Sequence, residues 1–379
     1  MTEQLICILK SELRQTPAVL PPDTDWEKLG ELAERQKLLP FVADFISRLP
    51  EKDRPAGSAA ADLKTRQALA LSCRGYQARA IGDICAALDE ADIDYLLFKG
   101  AVTRFRYPRE DLRTMSDIDL LYKPQDHERF RKAMEGAGFT DHEAGRKNDT
   151  YRRLPFVCVE AHRELVPAGS RFSGYCGGVW RRAKKCTDGA RYEMTAEDEY
   201  IFCLIHLAGH FLKGGAGVRF FVDVYFYENT PMDRGYLTSE LKKIGLYDFY
   251  RTAAALCDMW FGDGAGDDRL RKIAAFVLSG GLFGTKGRAS DLAVEGGKMR
   301  FALRACFPSY EEMCSMYPWL TGKKILLPVS WAHRGVTGIF RRRGNVRRQM
   351  RRLSEGDAES GRRLREFLAD CGLKEEKEK

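Results

Sequence analysis

The sequence predicts an α/β chain of the α+β kind: a small mixed sheet set between N- and C-terminal helical regions. Three observations carry this. Short apolar runs bounded by Gly, Pro and charge cluster between residues 94 and 190. Apolar residues recur at helical spacing on both sides of that stretch. Within it, a helical pattern over Gln125–Gly138 falls between two strand-like runs, which is α/β order.

Residues 1–93 read as a helical region. Trp26, Leu29, Leu32 and Ala33 share one helix face, and Phe41, Val42, Phe45 and Ile46 share another. Pro40 breaks or bends the chain between them, since it cannot donate to a helix ladder. Ala59–Ala91 is rich in Ala, Leu, Arg and Gln and reads as one long helix leading into the first strand.

Residues 94–190 form the expected core. Tyr95–Phe98 is an apolar strand ending in Lys99-Gly100, and Ala101–Arg106 is a short helix stopped by Tyr107-Pro108. A charged loop, Arg109–Arg113, leads to the strand Thr114–Tyr122. In the helix Gln125–Gly138, Phe130, Ala133, Met134 and Ala137 fall on one face, and Gly136 and Gly138 stop it. Phe156–His162 is a third strand. Residues 191–353 return to helix, starting at the capping pattern Thr195-Ala196-Glu197-Asp198. The apolar run Val218–Tyr227 fits a strand or a buried helix, and its helical neighbours favour helix. Residues 354–379 are a charged tail.

Charge is unevenly spread. The net charge is +8, and eight arginines between Arg334 and Arg352, with no acid among them, account for all of it. Such a stripe suits nucleic acid, an anionic surface or an acidic partner, or else a solvated helix paired with the acidic tail. The eleven cysteines are scattered without a Cys-x-x-Cys pair, so reduced thiols of a cytoplasmic protein are expected. No apolar run approaches membrane-spanning length, and the acidic N-terminus is unlike a signal peptide.

The chemistry concentrates in four acidic or basic positions. Asp117 and Asp119 alternate on one strand, so both carboxylates face one way while Ile118 and Leu120 pack behind. Adjacent carboxylates repel unless a divalent cation such as Mg²⁺ lies between them. Glu160, on a neighbouring strand, supplies a third acid, and the same metal set of Asp117, Asp119 and Glu160 carries the expected catalysis. Lys99-Gly100 forms a strand-to-helix turn where backbone N–H groups and an ammonium meet phosphate. Arg113 is placed for a bidentate phosphate contact, with Arg104, Arg106 and Arg109 as rivals. His162 shares a strand face with Glu160, and either meets a phosphate, orients Glu160 or is a structural His. His206 and His210 are one turn apart, which permits a shared metal, but they lack a general-base motif, so packing or support of a neighbouring site residue is the preferred role. Arg219 and Asp223 are four apart and are expected to pair with each other or to meet ribose or base.

Several of these segments together resemble a known family. They are Leu97-Phe98-Lys99-Gly100-Ala101, Tyr107-Pro108, Arg113, Ser116-Asp117-Ile118-Asp119-Leu120-Leu121 and Val159-Glu160-Ala161-His162. They are similar to the uncharacterised nucleotidyltransferase family of the polymerase-beta-type superfamily. His206-x-x-x-His210, Arg219, Asp223, Tyr317-Pro318-Trp319, Leu327-Pro328, Trp331 and Arg334 extend the likeness. The resemblance implies a small mixed sheet and Mg²⁺-dependent transfer, with one or two ions, from a nucleoside triphosphate such as ATP. By position it implies metal on Asp117, Asp119 and Glu160, and nucleotide contacts from Lys99, Gly100, Arg113, Ser116 and His162. Two departures stand out: Ala101 follows Gly100 where the superfamily has Ser or Gly, and Glu160 stands where Asp is common.

The expected function is therefore transfer of a nucleoside monophosphate to a hydroxyl acceptor, which could be a small molecule, sugar, RNA or protein. The alternatives are a catalytically idle nucleotide-binding or interaction module, which Ala101 favours, and a toxin-like nucleotidyltransferase acting on RNA or protein.

Overall fold

The computed structural model describes residues 1–145, 148–167, 169–282, 284–294, 297–299, 303, 306–341, 354 and 357–373. Most of the arginine stripe, from Arg342 to Arg352, lies outside the described residues. The chain divides into two compact units: residues 1–206 with 217–282, and residues 207–216 with 283–379. The second unit carries the helices Lys286–Val294, Tyr310–Met316, Leu327–Arg341 and Ala358–Asp370. No helix among the described residues is long and apolar enough to cross a membrane.

The N-terminal helices are α1 (Thr2–Arg14), α2 (Trp26–Arg35), α3 (Leu39–Arg48) and α4 (Gly57–Glu90). Pro40 sits in the first turn of α3, where its missing N–H costs nothing, so it starts a helix instead of bending one. In α4 the buried residues Gln77, Ala80, Ile81, Ile84 and Leu88 recur at helical spacing and form the stripe that meets the sheet.

The sheet has seven strands. They are β1 (Tyr95–Phe98), β2 (Ile118–Tyr122), β3 (Asp141–Glu143), β4 (Asn148–Arg153), β5 (Val157–His162), β6 (Lys184–Lys185) and β7 (Arg191–Glu193). Their order is β3-β4-β5-β2-β1-β7-β6. β2 runs antiparallel to β1 and parallel to β5, so the sheet is mixed. The three apolar strands expected from sequence occupy its middle. Two hairpins, β3–β4 and β6–β7, extend it further than expected.

Strand alternation divides the sheet cleanly. Tyr95, Leu97, Ile118, Leu120, Tyr122, Val159 and Ala161 face a core closed by α4 and by Phe130 and Met134 of a helix, His127–Gly136. Leu96, Phe98, Asp119, Leu121, Glu160 and His162 alternate with them. Phe98 on this second face packs edge-on against Phe202 of the helix Ala196–Phe211. The run Val218–Glu228 is a helix, as its neighbours suggested, and it buries Phe220, Phe221, Val222, Asp223 and Val224.

Candidate active site

The parallel pairing of β2 with β5 sets the site. Its register places Asp119 beside Glu160 and Leu121 beside His162. Successive residues of one strand face cannot avoid one another across a ladder, so a carboxylate on β2 meets a carboxylate and an imidazole on β5. Asp119 is only 3% exposed. Lys99 Nζ donates to its Oδ1 at 2.5 Å, and His162 Nε2 lies 2.9 Å from the same oxygen. Glu160 Oε2 is 3.4 Å from His162 Nε2.

The electrostatics follow from this crowding. Burial alone would raise Asp119, but the His162 hydrogen bond and Lys99 outweigh it and hold the carboxyl low. The His162 hydrogen bond also lowers Glu160. Burial disfavours a charged His162, yet its bonds to Asp119 and Glu160 prevail and raise it. Asp117 has no such relief. Burial, then the charge of Asp119, pushes it up to about 6.

Lys99 ends β1 with φ 52° and ψ −131°, a conformation that glycine prefers. The turn aims its side chain back across Phe98, whose ring centroid is 5.3 Å from Nζ, onto Asp119. Gly100 begins a one-turn helix, Gly100–Thr103. Its α-carbon is covered by Met115: a Cβ there would stand 2.8 Å from Met115 Cγ. Ala101 is buried in the sheet core, so its methyl group serves packing. Ser116 is exposed beside Asp117.

Two expected site residues, Arg113 and Asp117, have surroundings that their spacing did not suggest. Arg113 was expected to meet phosphate, but it is 7% exposed and forks onto Asp223, with Nε–Oδ1 2.6 Å and Nη2–Oδ2 2.9 Å. A buried guanidinium needs a carboxylate, and Asp223 is the one that reaches it. Arg219 therefore does not take Asp223 as its i,i+4 partner. Its Nη1 donates to Thr114 O at 3.1 Å, its Nε has no hydrogen-bond partner among the described residues, and burial with the neighbouring Arg113 depresses it to about 10. Asp117 lies a little apart from the other acids. Among the described residues, Asp119, Glu160 and His162 bring ligand atoms within 4.8 Å of one another, and Asp117 stands outside that group. Asp117 precedes the first residue of β2, so strand alternation does not fix its direction.

The donors suit a divalent cation. Two carboxylates converge, burial and then the charge of Asp119 push a third up, and an ammonium and an imidazole both contact one carboxylate oxygen. Oxygen donors fit Mg²⁺, and a His nitrogen among them also admits Mn²⁺. His206 stacks on Phe202 and meets Phe220 edge-on.

Two residues near the site carried little signal in the sequence. Tyr107 donates its buried hydroxyl to Asp223 Oδ1 at 2.6 Å, completing a three-residue hub. Cys158 shares the strand face of Glu160 and is raised by burial and by Asp117, and only its odd-even spacing from Glu160 could have pointed to it.

A family described as an uncharacterised nucleotidyltransferase matches residues 22–262. No curated protein and no solved structure matches the chain.

Proposed function

Because the chain belongs to the uncharacterised nucleotidyltransferase family, we propose that it transfers a nucleoside monophosphate from a nucleoside triphosphate to a hydroxyl acceptor, with Mg²⁺ held by Asp117 and Asp119. The observation that supports this most is the facing of Asp119 and Glu160 across two parallel strands, with Lys99 on Asp119. In the reaction, an acceptor oxygen bonds to the α-phosphorus, the bond to pyrophosphate breaks, and the acceptor proton leaves. Glu160, more exposed than Asp119, would take that proton. A bound Mg²⁺ would stabilise the charge that develops on the phosphoryl and leaving oxygens.

Asp119 and Asp117 would hold the ion, and Asp117 has most to gain, since its ionised form is the one under repulsion. Lys99 would move its charge from Asp119 towards the phosphates. His162 would orient Glu160, which it already contacts. Arg219, whose Nε has no hydrogen-bond partner among the described residues and which is close enough to feel the charge of Asp117, would meet ribose or base, or the phosphate expected of Arg113. Gly100 and Ser116 would border the triphosphate.

The test is incubation of the protein with each α-labelled triphosphate, Mg²⁺ and cell extract. Label should move into a product, and Asp119→Asn should abolish the movement. Undiminished transfer by that variant would sink the assignment.

A further inference from the structure

The cavity behind the loop that leads into β2 holds a buried cation with open donors. We propose that it binds a small organic anion, with a phosphate or carboxylate head and a compact apolar body. The inference stands whether or not the nucleotidyl-transfer reading holds.

Arg104 begins the turn Arg104–Arg106 after the one-turn helix and is 7% exposed. Its guanidinium lies over the Phe105 ring, 4.6 Å from the centroid, which leaves the edge nitrogens to find acceptors. Among the described residues, Nε and Nη1 have none. The nearest carboxylate oxygen, Glu110 Oε2, is 3.6 Å from Nε, beyond hydrogen-bond reach. Donors left open on a buried charge are costly, and their persistence points to an acceptor that comes from outside the chain.

Arg104 lines a cavity of about 160 Å³. That is roughly ten times the space one water needs. Lys37, Arg66 and Arg74 also border it, against Glu34, Glu110 and Asp111. Two of those acids are already matched: Glu34 by Arg66 and Asp111 by Arg109. Lys37, Arg74 and Arg104 then outnumber Glu110, so the lining favours an anion. Leu39, Pro40, Leu69 and Ala70 supply an apolar wall, so bare phosphate would leave part of the cavity unfilled. Met115 lines the cavity and also covers Gly100, so an occupant would touch the side chain that packs on the Lys99–Gly100 turn.

Cys73 borders the same cavity and reports on it. In the full-length protein, phenyl phosphate or benzoate should slow alkylation of Cys73 several-fold, in a saturable manner, as read by peptide mass spectrometry. Phenol should not, inorganic phosphate should protect more weakly, and exposed Cys306 should react at an unchanged rate. Arg104→Met should lose the protection and Asp119→Asn should keep it. If Arg104→Met does not fold, Arg74→Gln, on the exposed rim, should weaken protection several-fold. Cys73 reacting equally fast with and without millimolar phenyl phosphate and benzoate would mean a water-filled cavity and overturn the proposal. So would protection that survives both arginine changes, or that disappears with Asp119→Asn.

Discussion

Arg113 and Asp223, 110 positions apart, form a buried two-point ion pair that ties the loop before β2 to the helix Val218–Glu228. The third arm of Arg113, Nη1, donates to Thr114 O at 2.7 Å, and Arg219 donates to the same carbonyl. Gln77 of α4 donates to Met115 O at 3.1 Å. The two residues ahead of Ser116-Asp117 are thus fixed by their carbonyls from two helices. Asp223→Ala leaves the guanidinium buried and uncompensated, which should cost about 3–5 kcal/mol in urea denaturation. The double change Arg113→Met with Asp223→Leu should recover part of that loss, because apolar side chains avoid the desolvation of both charges while the buried Tyr107 hydroxyl still lacks its acceptor. Transfer by the double variant should stay depressed, since Thr114 O has lost one donor. Full activity in the double variant would show that the pair serves stability alone.

Asp117 should be a site where stability and activity oppose each other. Its folded-state value, about 6, lies above the ordinary 3.8. Between those values the folded chain holds the extra proton, so stability falls as pH rises through this window and stays lower above it. Asp117→Asn should therefore stabilise the metal-free protein at pH 7 by on the order of 1 kcal/mol, after allowance for partial exposure. It should give little change at pH 4 and abolish transfer. Thermal melts at the two pH values check this, and a variant less stable than the parent at pH 7 would contradict it.

Lys99 and a divalent cation should compete for Asp119. With Nζ 2.5 Å from Oδ1, the ammonium must yield that oxygen when an ion binds. Lys99→Met removes the competitor, so Mn²⁺ affinity measured by calorimetry should rise several-fold. Transfer should fall at the same time, because the charge that would meet the phosphates is gone. Weaker Mn²⁺ binding in Lys99→Met would place the ion elsewhere.

What could be read in the sequence was what is local. β1, the Asp-x-Asp strand and β5 are short apolar runs, and alternation correctly put Ile118 and Leu120 on the core face, opposite Asp119. The long helix and the helical Val218–Glu228 follow from composition and context. β4 escaped notice because its Asn148–Arg153 sequence is mostly polar. Its buried positions are Asp149 and Tyr151, and the former is a carboxylate satisfied by Tyr122, Arg163 and the Gly145 N–H. β6 is two lysines, with no apolar signal at all. The Arg113–Asp223 pair was missed for a different reason. Sequence spacing proposes partners three or four residues away, here Arg219, and a contact across 110 positions leaves no local trace.

Gly100 and Met115 should be energetically coupled. Gly100 has an ordinary helical backbone, so alanine would by itself favour the one-turn helix it begins. The new Cβ, however, would stand 2.8 Å from Met115 Cγ and 3.1 Å from Sδ. Cγ is close to the Met115 backbone and cannot swing away as a terminal methyl can. Gly100→Ala should therefore cost about 1–3 kcal/mol, as overpacking does. Met115→Ala removes the obstacle, so the double variant should be more stable than the sum of the single changes predicts, by about 0.5–3 kcal/mol. Urea melts of the four proteins give that coupling energy. Additivity within about 0.3 kcal/mol would show that Met115 has room to move. Activity gives an independent reading. If Gly100 matters only for this packing, the double variant should regain transfer that Gly100→Ala loses. If its backbone must lie close to the triphosphate, the Cβ should impair transfer whether or not Met115 is present, and KM for the triphosphate should rise in both.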